Sequence, residues 1–269
     1  MTSGDGAGIR RRVRFAPEHR LNFIESSWTS NRRSTWMATQ IIFETFTPDE
    51  VTEHMIDEAA KLFNENYGTW GPYSEKPGKP VRLSTKRLRE QYLADPASSY
   101  TRYQSSSICW VTELVVHKEH RSHGLAASLL RSLRLDTDDI YGLMSSHRHA
   151  CLAAAKSFGT HIEKIPLDFI QTNAAGIMGA SPVSYIKDAK LCGDLFDPDD
   201  TSGLISSVNT FFFVDHEEPL QALTLVQQDW KWPFGSLPEG KEFLLLLRTR
   251  ESRSRSSSAS GRDPANPSR

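Results

Sequence analysis

The sequence predicts a mixed α/β fold: a sheet containing a parallel strand pair, with helices on its faces. Three observations carry this. The stretch from Ile108 to Leu133 changes period midway, from apolar and β-branched residues at Cys109 to Val116 to a helical stripe of Ala126, Leu129, Leu130 and Leu133. The succession then repeats, with strand-forming residues from Ile140 to Ser145 and a second stripe of Cys151, Ala154, Ala155 and Phe158 that Gly159 stops. A strand, a helix and a further strand at this spacing form a right-handed crossover, which makes the two strands parallel.

The elements follow in order. Residues 1–38 hold Arg10, Arg11, Arg12, Arg14, Arg20, Arg32 and Arg33 without a sustained apolar period, and read as a disordered basic arm. Met37 is a second candidate start. Ile41 to Phe46 reads as a strand, and Thr47-Pro48-Asp49-Glu50 as the N-terminus of a helix whose buried stripe is Met55, Ala59, Leu62 and Phe63. Tyr67, Trp70 and Tyr73 then cluster with glycines and prolines in a loop, where they form either a ligand-pocket wall or a cap on the core. A helix is expected from Ser84 to Leu93, and one short extended segment from Tyr100 to Gln104.

Asp136 to Asp139 makes the turn between the first crossover helix and the strand at Ile140. Ile162 to Ala175 and Ser184 to Leu195 each read as helical, and Leu204 to Val214 as a strand. Asp215 and Glu218 form a capping pair for a helix carrying Leu220, Leu223, Val226 and Trp230, and Phe243 to Leu247 is a last strand. From Thr249 onward arginine, serine and proline dominate, and residues 249–269 are expected to be a disordered tail.

Composition narrows the function classes. A chain of 269 residues with net charge −1 can bury a full core and carries no whole-chain field for nucleic acid, so no nucleic-acid partner is expected. A serine- and arginine-rich tail leaves RNA binding as a separate reading, against a plain solvated tail. No apolar run reaches roughly 18 residues, so no membrane span is expected. Cys109, Cys151 and Cys192 lie far apart and read as reduced residues. With no apolar leader segment, a cytoplasmic location is expected, with nuclear or mitochondrial placement open.

The chemistry concentrates at Arg121-Ser122-His123-Gly124-Leu125-Ala126, between strand and helix. A short turn containing glycine at a helix start aims backbone N–H groups and the positive helix end at one point, which suits a phosphate. Arg121-x-x-Gly124-x-Ala126 after Leu114-Val115-Val116 resembles the acyl-CoA signature of the GNAT family of N-acetyltransferases. Ser145-Ser146-His147, Lys190 to Gly193 and Phe211 to His216 resemble segments of an extended fungal-type subgroup. The resemblance covers Ile41 to Arg248, so a domain spanning 39–248 is expected.

The resemblance implies acetyl-CoA as cofactor and a primary amine, small molecule or peptide, as acceptor, with direct attack in a ternary complex. It implies that Arg121, Ser122, His123, Gly124, Leu125 and Ala126 bind the pyrophosphate. A backbone N–H among Leu114, Val115 and Val116 would polarise the acyl carbonyl. It also implies a central mixed sheet whose parallel strand pair is splayed, with two hairpin strands before the strand at Cys109, whereas the sequence has room for one. A protein that binds acyl-CoA or a partner without turnover is therefore an alternative expectation.

Glu113 intrudes into an apolar strand and is either the base that takes the amine's proton or one half of a structural ion pair. The family's tyrosine acid aligns with Ala154, so Ser145, Ser146, His147 or water would take its place. His117, His120 and His123 recur at every third residue without supporting carboxylates or cysteines, and no metal site is expected.

Overall fold

The computed structural model describes residues 21–25, 42–93 and 100–249. Met37, Ile41, the arginines of the basic arm and the tail from 250 onward lie outside the described residues. Within the arm expected to lack structure, Leu21–Glu25 forms β1, antiparallel to β2 at Ile42–Phe46. Leu21, Phe23 and Ile24 supply β-forming residues whose signal is drowned by the surrounding arginines. This ribbon is a separate two-stranded sheet, so the first expected strand does not join the central one.

The central sheet is built from β3 (Tyr100–Tyr103), β4 (Ser106–Val111), β5 (Ile140–Ser145), β6 (Lys190–Cys192), β7 (Ser207–Phe212) and β8 (Gly240–Arg248). Its order is β3-β4-β5-β8-β7-β6. β4 and β5 are parallel and the other neighbours antiparallel. The expected mixed α/β class and parallel pair are therefore present. Leu244, Leu245, Leu246 and Leu247 of β8 are at most 1% exposed, so this strand is covered on both faces. Burial of each such side chain contributes about 1.5–3 kcal/mol.

One strand, β3, precedes β4 in the sheet, in a hairpin whose turn residue Gln104 has φ 56°. On this edge Gly176 lets the Tyr103 ring come close, because a Cβ there would stand 2.3 Å from the Tyr103 hydroxyl oxygen.

The helices are α1 (Glu53–Asn66), α2 (Thr85–Leu88), α3 (Leu125–Ser132), α4 (Arg148–Ser157), α5 (Leu167–Gly179), α6 (Ser184–Lys187) and α7 (Glu217–Asp229). Several differ from expectation for local reasons. The Thr47 backbone N–H and hydroxyl both donate to Glu50, but these bonds close a turn. α1 begins later, with the Thr52 hydroxyl accepting from Met55 N–H. Its buried face is Ile56, Ala60 and Phe63; of the expected stripe Phe63 is buried, and Met55, Ala59 and Leu62 are half-buried beside it.

Helix α2 starts at its expected cap, Ser84, and continues as a wider π turn over Arg89–Leu93. Pro166 delays α5 to Leu167, since proline disfavours helical backbone at the residue before it. The helix expected from Ser184 to Leu195 lasts only through Lys187. Its second half is β6, whose backbone groups pair with β7.

Strand β7 is shorter than Leu204 to Val214 and carries an irregularity between Asn209 and Phe212, where Phe211 adopts φ 56° and is exposed. Asp215 caps α7 by accepting from Glu217 N–H at 2.7 Å, but Glu218 turns elsewhere. Val226 and Ala222 are buried whereas Leu220 and Trp230 are exposed, and the Leu223 side chain lies outside the described ones. The stripe of α4 matches in full, with Cys151, Ala154, Ala155 and Phe158 buried and Gly159 at φ 85°.

Candidate functional site

The ladder between β4 and β5 ends at Val111 paired with Leu143, while β5 runs on to Ser145 against Phe243 of β8. The expected strand from Cys109 to Val116 thus stops at Val111. From Thr112 the chain leaves the sheet, while β5 stays bonded to β8 along its other edge. Glu113, Leu114, Val115 and Val116 become the wall of a cleft of about 920 Å³. The end of α1, the aromatic loop, the π turn, the start of α3, the cleft face of α4, the start of α7 and Glu242 of β8 complete it.

At one end lies the turn into α3. Ser122 (φ 64°) and Gly124 (φ 76°) are both left-handed, and no side chain caps the helix. Ser128 N–H bonding to Gly124 carbonyl is the first intrahelical bond, so the N–H groups of Leu125, Ala126 and Ala127 precede it without an intrahelical acceptor. Such a cradle of donors at a positive helix end suits an anion. A Cβ at Gly124 would meet nothing, so glycine serves the backbone angle here rather than clearance from the protein.

Arg121 differs from its expected role. Its Nε donates to Val116 carbonyl at 3.3 Å, its Nη2 to Asn66 carbonyl at 2.6 Å, and its Nη1 pairs closely with Glu218. Lys118 N–H donates to Asn66 Oδ1 at 3.0 Å. The guanidinium thus ties the cleft wall to α1 and α7, and its charge is already balanced by Glu218. Ser122, Leu125 and Ala126 line the cleft beside Gly124, but His123 points away from it into solvent.

At the other end is a cluster of carboxyls and phenols. The Tyr92 hydroxyl donates to Glu113 at 2.6 Å, and the Tyr185 hydroxyl donates to Thr112 carbonyl at 3.1 Å. Glu113 is open to the cleft but crowded by protein elsewhere. Its pKa is pushed up to about 7, first by burial and then by Glu242, against the lowering effects of the Tyr92 bond and Arg87. Burial likewise raises Glu242 to about 7, opposed by the nearby Thr210 hydroxyl, although no well-formed hydrogen bond joins them. Tyr67, Tyr92 and Tyr185 all have raised pKa values, chiefly by burial, so they act as neutral donors near pH 7.

The aromatic loop does both things expected of it. Tyr67 stacks on Phe63 at 4.2 Å and Trp70 meets Phe212 edge-on at 5.1 Å, and both also line the cleft. Tyr73 is exposed and belongs to neither.

Ser145 and His147 line the cleft with their polar atoms already engaged. Ser145 Oγ accepts from His147 N–H at 3.0 Å, and His147 Nδ1 from His149 N–H at 3.3 Å. His147 Nε2 stands 3.8 Å from Glu218, an ion-pair separation. Ala154 is fully buried and faces the core, while His149, Ala150, Leu152, Ala153 and Lys156 face the cleft. Among the described residues no group of three histidines, cysteines or carboxylates comes together as metal ligands.

Sequence reasoning missed Glu242, Tyr92, Tyr185, Asn66 and Glu218. Glu242 falls just before the expected last strand and enters it only because β8 begins earlier, at Gly240. The others converge only through the fold. No family model, curated protein or solved structure matches the chain.

Proposed function

We propose that the cleft is the active site of an N-acetyltransferase that moves an acetyl group from acetyl-CoA to a primary amine by direct attack in a ternary complex. The observation that carries this reading is the parting of β4 from β5 beside an uncapped helix start. Freed strand backbone can bond an extended amide-containing arm as an added strand would, and the α3 turn lies on the same cleft to hold its phosphates.

The residues present fit that cosubstrate. Backbone N–H groups from Ser122 to Ala127 would hold the pyrophosphate, with no side-chain cap competing for them. Thr112 to Val116 would hold the pantetheine amides, with the backbone donors of Leu114, Val115 and Val116 beside the acyl carbonyl. When bound, acetyl-CoA supplies an activated acyl thioester.

The chain's own part is to receive the amine and its proton. Glu113 is about half ionised at neutral pH and opens into the cleft, so it can accept a proton from an ammonium group entering there. Tyr67, Trp70, Tyr92 and Tyr185 wall that end, and aromatic faces attract an alkylammonium. Glu242 adds a second carboxyl to the same end. Tyr67, a cleft phenol that stays protonated, would donate to a departing thiolate in place of the absent tyrosine on α4.

Titration of acetyl-CoA into the full chain, followed by thiol release with a panel of amines, tests the proposal. Saturable binding and amine-dependent thiol release are expected, both reduced by Gly124→Val. Absence of binding at millimolar acetyl-CoA would overturn it. A second reading, binding without turnover, rests on the cleft face of α4 offering no phenol. Binding with no thiol release from any amine would select it.

A further inference from the structure

Glu242 is 9% exposed and lines the cleft from β8, opposite Val208 of β7. Among the described residues no lysine, arginine or histidine comes within ion-pair distance of it, and no donor makes a hydrogen bond of normal geometry to its carboxyl. The nearby Thr210 hydroxyl, which also lines the cleft, is buried and equally without a partner. A carboxyl and a hydroxyl left unpaired against a cleft of about 920 Å³ are groups that a ligand completes.

Glu113 shares that end of the cleft, and the two carboxyls lie close enough that both act on the Tyr67 and Tyr185 phenols. Their surroundings differ. Glu113 accepts from the Tyr92 hydroxyl and feels the positive charge of Arg87, an exposed residue whose Nε donates to Gln91. Glu242 has the Thr210 hydroxyl beside it and no such cation. In the proposed transfer the reacting nitrogen is charged only until Glu113 has taken its proton, since a protonated amine cannot attack. Glu113 and that nitrogen are then both neutral. Glu242 still lacks a counter-charge, which only a cation that keeps its proton would supply.

We propose that the acceptor is a short aliphatic diamine, with one ammonium at Glu113 as the reacting end and the other held by Glu242 and Thr210. The inference rests on the acetyltransferase reading for the transfer, and on the cleft alone for the cation site. An ammonium carries three N–H donors, and the Glu242 carboxylate and the Thr210 hydroxyl oxygen accept from it. Tyr67 and Trp70, whose rings lie 6.0 and 5.1 Å from that of Phe212, form with it an apolar wall for the methylene stem and aromatic faces for the charges. During transfer the reacting ammonium gives one proton to Glu113, its nitrogen bonds the acyl carbon as the carbon–sulfur bond breaks, and a second nitrogen proton passes to the departing thiolate. The product amide is neutral at that nitrogen and keeps its other ammonium on Glu242. Burial raises both carboxyls to a pKa of about 7, so each is partly protonated in the free protein and a bound dication draws those protons off.

The test is calorimetric titration of the full chain, without acetyl-CoA, with 1,4-diaminobutane, 1-aminobutane and 4-aminobutanoate, which share a chain and differ in the second group. The diamine should bind at least about 10-fold tighter than either. Glu242→Gln should erase that margin and Thr210→Val should reduce it, with thermal unfolding confirming that both variants fold. At pH 7 the wild type should release protons on binding the diamine, and Glu242→Gln fewer. Equal affinities for the three probes, as a Glu242 that serves the fold alone would give, or a margin unmoved in both variants would overturn the proposal. Thiol release from acetyl-CoA as fast with 1-aminobutane as with the diamine would also overturn it while leaving the transferase standing. Failure of acetyl-CoA to bind would instead strike the transferase reading, and the three affinities would still decide the cation site.

Discussion

The Tyr92 hydroxyl donates to Glu113 at 2.6 Å, and so the π turn after α2 reaches across the cleft to a carboxyl on the strand that has left the sheet. That bond favours the ionised carboxyl, while burial opposes it and leaves the pKa at about 7. Acetyl transfer at low amine concentration should therefore rise with pH and inflect near about 7. Tyr92→Phe removes a bond to the charged form and should move the inflection upward. Glu113→Gln should abolish it and lower kcat by roughly 10²–10⁴. An inflection that follows only the acceptor's own ionisation, unmoved by Tyr92→Phe, would remove Glu113 from this role.

Arg121 spreads three donors over Val116, Asn66 and Glu218, so its planar fork matters as much as its charge. Arg121→Lys should fail to restore what Arg121→Ala loses. Both should destabilise the chain by about 1–3 kcal/mol and weaken acetyl-CoA binding by loosening the turn. Thermal unfolding and titration check this, and full rescue by lysine would point to charge alone.

Gly124 is held at φ 76° with open space where a Cβ would go. The cost of substitution is then conformational, about 1–2 kcal/mol for an ordinary L residue. Gly124→Asn should keep a near wild-type unfolding midpoint, because asparagine tolerates this region. Gly124→Val should lower both the midpoint and the affinity for acetyl-CoA.

What the sequence disclosed follows from how local each signal is. The crossover from β4 through α3 to β5 was legible because strand and helix periods abut there, and the α4 stripe was legible residue for residue. The turn at Ser122 and Gly124 was legible because glycine marks it. The end of β4 at Val111 was not, because Leu114, Val115 and Val116 are as β-forming as the residues before them. β5 stays bonded along its other edge to β8, a strand more than 90 residues downstream, so the parting is settled within the assembled sheet and not by the propensities of these residues. The same remoteness hid Glu218 as partner of Arg121 and Tyr185 as a donor to Thr112 carbonyl. The helix expected after Ser184 became β6 because β7 offered it an edge, a tertiary effect that overrides local propensity.

Gly142 sits mid-strand in β5 with the Trp110 ring across it, where a Cβ would stand 2.4 Å from the indole. Trp110 is 2% exposed, so a shift of its ring would disturb the packing around it. Gly142→Ala should therefore destabilise the chain by about 1–3 kcal/mol, far beyond the usual effect of alanine in a strand. Chemical denaturation measures this, and a neutral result would show that the indole can shift.

Glu242 offers the sharpest pH test, because burial raises its pKa from the ordinary 4.5 to about 7. A carboxyl whose folded pKa is raised binds its proton more tightly in the folded state. Its contribution is thus most favourable below the unfolded value, and stability falls as pH rises from there through the folded value. Between about pH 4.5 and 7 the chain should lose up to roughly 3 kcal/mol from this group. Glu242→Gln should then be nearly neutral at pH 4 and stabilising at pH 8, which thermal unfolding at the two values measures. Because Glu242 also raises the pKa of Glu113, the same variant should move the pH–rate inflection below its wild-type position, opposite to Tyr92→Phe. Opposite movements from the two variants would identify Glu113 as the group that titrates, whereas matching movements would show that another group does.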